Sequence, residues 1–141
     1  MRDETIVAVR DRLDDVLVWA NELLEANACP RRVKVQLHVC VEELFVNICN
    51  YAYAPKTGKV HLTMDVIPPQ GDEPAVFWME LEDSGVPFDP TAHEDPDITL
   101  SAEERAIGGL GIFMVKKRMD SFTYRFENGK NISRIEKKLV A

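Results

Sequence analysis

VHLTMDVIPPQGDEPAVFWMELEDSG, residues 60–85, carries the pattern that decides the fold. Its two runs, Val60 to Ile67 and Ala75 to Leu81, are rich in β-branched, aromatic and other apolar residues and read as strands. Pro68-Pro69-Gln70-Gly71-Asp72 between them reads as a hairpin connection. The second run stops at Asp83-Ser84-Gly85. Beyond it, Phe88 to Ala106 lack periodicity and hold Pro90, Pro96 and many acids. A long irregular stretch inside a compact domain is usually a lid or a linker, and a lid is expected at about residues 88–107. Order returns at Gly108-Gly109-Leu110-Gly111, followed by a helical pattern through Arg118 or Met119. Two last strands, Phe122 to Phe126 and Ile132 to Leu139, are joined by Asn128-Gly129, a strong hairpin signal.

Upstream of the hairpin, Glu4 to Val9 alternate and suggest a short strand. Leu13, Val16, Leu17, Ala20, Leu23 and Leu24 recur at three- and four-residue steps, the signature of an amphipathic helix over Leu13–Glu25. Pro30 suits the first turn of a second helix, which carries Val33, Leu37, Val41, Leu44, Phe45 and Ile48 and runs to about Ala52. Ala54 to Gly58 is a turn. Strands in hairpins with helices grouped on one side imply an α+β two-layer α/β sandwich with a mixed, mostly antiparallel sheet. The 141 residues suit a single domain spanning 1–141.

Composition narrows the function. Asp and Glu (24) outnumber Lys and Arg (17) for a net charge of −7, the wrong sign for a broad nucleic-acid surface. No run approaches the ~18 apolar residues of a membrane span. The acidic start, Met1-Arg2-Asp3-Glu4, has no apolar signal core behind it, so a cytoplasmic protein is expected. Cys29, Cys40 and Cys49 form no CxxC or zinc pattern. His38, His61 and His93 lack ligand spacing, so none is assigned a metal.

Three constellations carry chemistry. Glu43 and Asn47, four residues apart, share one helical face. In a cleft the Asn47 amide oxygen could ligate Mg²⁺, which prefers hard oxygen donors and substrate phosphates. The Glu43 carboxylate one turn earlier could take a proton. A solvent-facing polar pair is the other reading, although Val41, Leu44, Phe45, Val46 and Ile48 leave little polar face. Asp83-Ser84-Gly85 follows an apolar strand: a carboxylate there can accept from an adenine amino group, and Gly85 admits close approach of a flat base. It could also be a plain strand-ending turn. Gly108, Gly109 and Gly111 open a helix, where backbone N–H groups favour anions such as phosphates. The segment is neither a Walker A sequence nor a good dinucleotide fingerprint.

The order of these elements, Glu-x-x-x-Asn on a helix, Asp-x-Gly after a strand, a lid, then Gly-Gly-Leu-Gly before a helix, resembles the Bergerat-fold, histidine-kinase-like ATPases over nearly the whole chain. Within them it is most similar to the bacterial anti-sigma-factor serine/threonine kinases. Tyr51-Ala52-Tyr53 after Asn47, Pro87-Phe88-Asp89-Pro90, Met119-Asp120, and Gly129-x-Asn131 with Lys137 match that branch. The resemblance implies Glu43 as general base toward a serine of a partner, Asn47 as the Mg²⁺ ligand, and Asp83 as reader of the adenine amino group. Gly85 would make room for the ring, while Gly109 and Gly111 would let the lid fold onto the phosphates. Arg105, at the lid's end, would meet the γ-phosphate in bidentate geometry, unless it is a solvated charge beside Glu103 and Glu104. Asn131 would approach the adenine pocket from the last strand.

By the same resemblance the cofactors are ATP and Mg²⁺. The partners would be an anti-sigma-factor antagonist as substrate and a sigma factor in an alternative complex. A homodimer would be built on the first strand or helix. The rival reading is a non-catalytic module that regulates a partner by ATP occupancy. Members of the branch often have His where this chain has Tyr51. No phosphoacceptor helix is expected upstream, so histidine autophosphorylation is not.

Overall fold

Alternation along the strands dictates which sheet face is covered. A computed structural model describes residues 1–92 and 109–141. β1 (Arg2–Val7) leads through a 3₁₀ turn at Arg10–Arg12 into α1 (Leu13–Ala26) and α2 (Arg31–Tyr51). β2 (Lys59–Ile67) and β3 (Val76–Asp83) form the central hairpin, and a 3₁₀ turn follows at Pro90–Ala92. α3 (Gly109–Arg118), β4 (Ser121–Glu127) and β5 (Lys130–Lys138) complete the described chain. The sheet order is β1-β2-β3-β5-β4, and all four pairings are antiparallel.

On β2, Val60, Leu62, Met64 and Val66 point to one face, and on β3 Phe77, Met79 and Leu81 continue it. The helices cover that face. Val16, Ala20 and Leu24 of α1 are buried at four-residue steps. Val33, Leu37, Cys40, Val41, Leu44 and Phe45 of α2 are buried in the same core. Phe45 and Phe77 are the largest side chains fully removed from solvent. Burial pushes the Cys40 thiol up to about 11, so it behaves as a small apolar group. Among the described residues no helix is long and apolar enough to cross a membrane.

Several boundaries move from the sequence-based expectation, each for a reason of pairing. The first strand spans Arg2–Val7 rather than residues 4–9, because Ile6 pairs with Val60 and the ladder ends where the Ala8 N–H donates to the Gly58 carbonyl at 2.8 Å. Pro30 is the residue before α2 and not its first turn. β3 runs to Asp83 because β5 supplies a partner that far. At the tight β4–β5 loop Asn128 and Gly129 have φ of 53° and 76°, the paired left-handed geometry that Asn-Gly favours. Of the lid expected at about residues 88–107, residues 88–92 are described and the rest lies outside the described residues.

Replacing Phe77 with alanine should leave a cavity in the centre of this core. The expected cost is about 3–5 kcal/mol, read as a lower urea midpoint at unchanged slope.

Candidate functional site

The core-facing row of the sheet turns polar at one end. Across β3 and β5 that row pairs Met79 with Ile135, then Leu81 with Ser133, then Asp83 with Asn131. Asp83 therefore continues the apolar alternation of Phe77, Met79 and Leu81, and its carboxylate is carried inside by the strand. It is 7% exposed and Asn131 is 5% exposed. Burying such groups is costly without hydrogen-bond partners, and here they have them. Asp83 Oδ1 accepts from the Gly85 N–H at 2.9 Å and from Asn131 Nδ2 at 3.0 Å. The Asn131 amide also donates to the carbonyls of Val86 (3.0 Å) and Gly85 (3.3 Å). Its Oδ1 accepts from the Phe88 N–H at 3.1 Å and the Tyr124 hydroxyl at 2.5 Å. Both bonds to Asp83 end on Oδ1, so Oδ2 is the acceptor left for a ligand.

Above this pair lies a cavity of about 330 Å³, with Leu44, Asn47, Ile48 and Tyr51 of α2 on one side and Leu81, Asp83 and Asn131 of the sheet on another. Val86, Pro87, Phe88 and Pro90 close a third side, and Ile112 of α3 contributes from above. An apolar slot with a few converging polar groups is the usual form of a small-molecule site. It suits a flat heteroaromatic ring with one edge on Asp83.

The turn after Asp83 is held against the end of α2. The Val86 N–H donates to the Ala52 carbonyl at 3.1 Å. A Cβ added at Gly85 would lie 2.6 Å from the Ala52 carbonyl carbon. The room left by Gly85 is thus filled by helix backbone, a packing reason for glycine that the sequence did not disclose. Tyr53 fastens the same turn: its hydroxyl accepts from the Ser84 N–H at 2.7 Å and donates to the Lys59 carbonyl at 2.5 Å.

Glu43 sits one helical turn before Asn47 and is half-buried beside the first turn of α3. A Cβ at Gly111 would lie 2.6 Å from the Glu43 carboxyl carbon, so glycine there lets the carboxylate rest against α3. Desolvation, then the neighbouring Glu42 charge, holds the Glu43 carboxyl above its ordinary value. α3 begins at Gly109, which brings the N-terminal end of that helix beside Glu43. Arg105 and Gly108 lie outside the described residues. Asn47 offers a hard oxygen at the cavity wall. Among the described residues no cluster of three His, Cys, Asp or Glu side chains could hold a metal. A Mg²⁺ ion at Asn47 would thus draw its other ligands from phosphate oxygens and water, its common habit.

The structure brings together Glu43, Asn47, Asp83, Gly85, Gly111 and Asn131 from four separate stretches of chain. Sequence reading missed Tyr124, which anchors Asn131. The Asn128-Gly129 hairpin placed it within reach, since a two-residue loop opposes Tyr124 to Ser133 beside Asn131. Lys137, matched to the branch pattern by sequence, caps the end of α3 by donating to the Arg118 carbonyl at 2.6 Å.

Comparison with known proteins places the chain in a family. The chain is 24% identical over 118 residues to the serine/threonine-protein kinase BtrW of Bordetella bronchiseptica, covering 83% of this chain and 79% of that protein. Its structure aligns over its full length with 70% of the Acinetobacter baumannii histidine kinase AdeS, at a TM-score of 0.43 and 13% identity. The family model described as the histidine kinase-like ATPase domain matches residues 6–137, and the chain belongs to that family.

Proposed function

We propose that this ATPase-family domain is a protein serine/threonine kinase that transfers the γ-phosphoryl group of ATP to a serine of an anti-sigma-factor antagonist. The observation that carries the reading is the placement of Glu43 one turn from Asn47. Asn47 lines the cavity whose far wall is Asp83, and Glu43 stands beyond it, next to Gly111. A domain that only held nucleotide would need no half-buried carboxylate at that point. The serine/threonine kinase named among its relatives supports the same reading.

In this mechanism Asp83 Oδ2 accepts from the adenine amino group, and Asn131 keeps the carboxylate turned toward it. Asn47 would hold Mg²⁺, which when bound neutralises charge on the phosphates. Gly109 and Gly111 open the helix whose N–H groups would face the phosphates. Glu43 orients the acceptor hydroxyl and takes its proton as the serine oxygen–phosphorus bond forms. The bond from phosphorus to the β,γ-bridging oxygen breaks, and ADP leaves with that electron pair. Arg105 would meet the γ-phosphate. The chain would act in the cytoplasm as a homodimer and would hold a sigma factor in an alternative complex.

Asp83→Asn keeps the shape and the acceptor on Oδ1 but turns the free acceptor into a donor. Titration calorimetry should show Mg-ATP affinity reduced by about 10- to 100-fold, the range for a lost bond to a charged group. Unchanged affinity would remove Asp83 from the adenine site.

Glu43→Gln should bind Mg-ATP nearly as well as the parent while losing about 10²- to 10⁴-fold in transfer to a serine partner, the usual worth of a general base. The parent's rate should rise with pH through an apparent pKa above the ordinary glutamate value, because only the ionised form accepts a proton. The same raised pKa means that the folded state holds the proton more tightly than the unfolded chain, so stability falls as pH rises through the folded value. At neutral pH the glutamine variant should therefore melt higher than the parent. A variant that still phosphorylates at the parental rate would end the role of Glu43 as base.

A further inference from the structure

A second groove lies on the other side of Glu43 from the nucleotide cavity. It is about 270 Å³, runs between α2 and α3, and is lined by Arg32, Val35, Gln36, Val39, Met114 and Arg118. Arg32, Val35, Val39, Glu43 and Asn47 follow one another along α2 at steps of three and four, so they form one stripe. Val39 lines this groove and Asn47 lines the nucleotide cavity; Glu43 is the turn between them. On α3, Gly111, Met114 and Arg118 form the facing stripe, and Gly111 touches Glu43.

The groove has an apolar floor and a cationic far end, in a chain of net charge −7. Val35 is 55% exposed. Arg118 at the end of α3 suits the helix dipole, but Arg32 does not. It stands in the first turn of α2, which holds no acid and where a cation is disfavoured. Lys34 in that turn is offset by Glu25 at 3.0 Å. No ion pair among the described residues reaches Arg32 or Arg118.

We propose that this groove seats an acidic segment of the protein whose hydroxyl is phosphorylated, with Arg32 and Arg118 as its charge contacts and Val35, Val39 and Met114 as its apolar floor. The assignment of the occupant as substrate rests on the kinase reading above; the docking itself does not. Eleven residues of helix separate Arg32 from Glu43, about 16 Å along the axis. An extended peptide covers that distance in about five residues. The preferred substrate thus carries its acids about five residues from the acceptor serine.

The test uses short fluorescein-labelled serine peptides with paired glutamates about five residues to one side or the other, and matched peptides with lysines there. Anisotropy reads binding, and labelled Mg-ATP reads transfer. One acidic peptide is expected to bind the whole protein at least about tenfold tighter than its lysine counterpart, with the gap shrinking in high salt. Arg32→Glu with Arg118→Glu should reverse that preference while leaving Mg-ATP affinity unchanged. The same variant should raise KM for the acidic peptide and leave kcat near the parental value. Binding indifferent to peptide charge, or to the two substitutions, overturns the proposal. So does a parental dimer that the double variant converts to monomer by sedimentation, since the groove would then be an interface between copies. Charge-selective docking without any transferred label would keep the groove and sink the kinase reading instead.

Discussion

The hydrogen bond from Asn131 to Asp83 is the constraint on which the site depends. Both side chains are almost wholly withdrawn from water, and a buried carboxylate without partners would be untenable. Asn131 meets that need with one amide hydrogen and uses its remaining capacity on the turn after β3, on Phe88 and on Tyr124. One amide thus fixes the acceptor, the route of the chain leaving it and the adjoining edge strand. Removing Asn131 would leave the buried Asp83 carboxylate with the Gly85 N–H as its donor, a loss larger than the net worth of the bond itself.

From that pair the rest of the cavity follows by packing. The strand that carries Asp83 inside also carries Leu81, Met79 and Phe77, so the rigid apolar core and the polar floor of the site are one continuous row. The turn at Gly85 can rest on the end of α2 only because it has no side chain, and this contact sets how far the cavity wall stands from Asn47. On the opposite side Gly111 permits α3 to approach Glu43. Gly85 thus sets the spacing of its turn from the backbone at the end of α2, while Gly111 leaves room for the Glu43 carboxylate.

The position of α2 between two hollows gives the molecule its logic. One turn of that helix faces the cavity beside Asp83, the next presents a half-buried carboxylate, and the next faces a cation-ended groove. On the proposed kinase reading, two substrates would meet at that carboxylate. Residues spaced along one face of α2 would provide that alignment.

Much of this was legible in the residues themselves. The alternation of Val60 to Ile67 and of Phe77 to Leu81, the four-residue steps of α1 and α2, and the Asn128-Gly129 turn are properties of neighbours along the chain. They determine element type, the covered face of each strand and the shared face of Glu43 and Asn47. The amino acids by themselves thus determined a two-layer sandwich and a short list of candidate site residues. Only the tertiary structure decided that Asp83 meets Asn131, 48 residues away, that Gly85 is needed by Ala52, and that Gly111 backs onto Glu43. Those contacts depend on strand register and on helix approach between segments remote in sequence. Both are set by the packing of the whole core, which no local periodicity records.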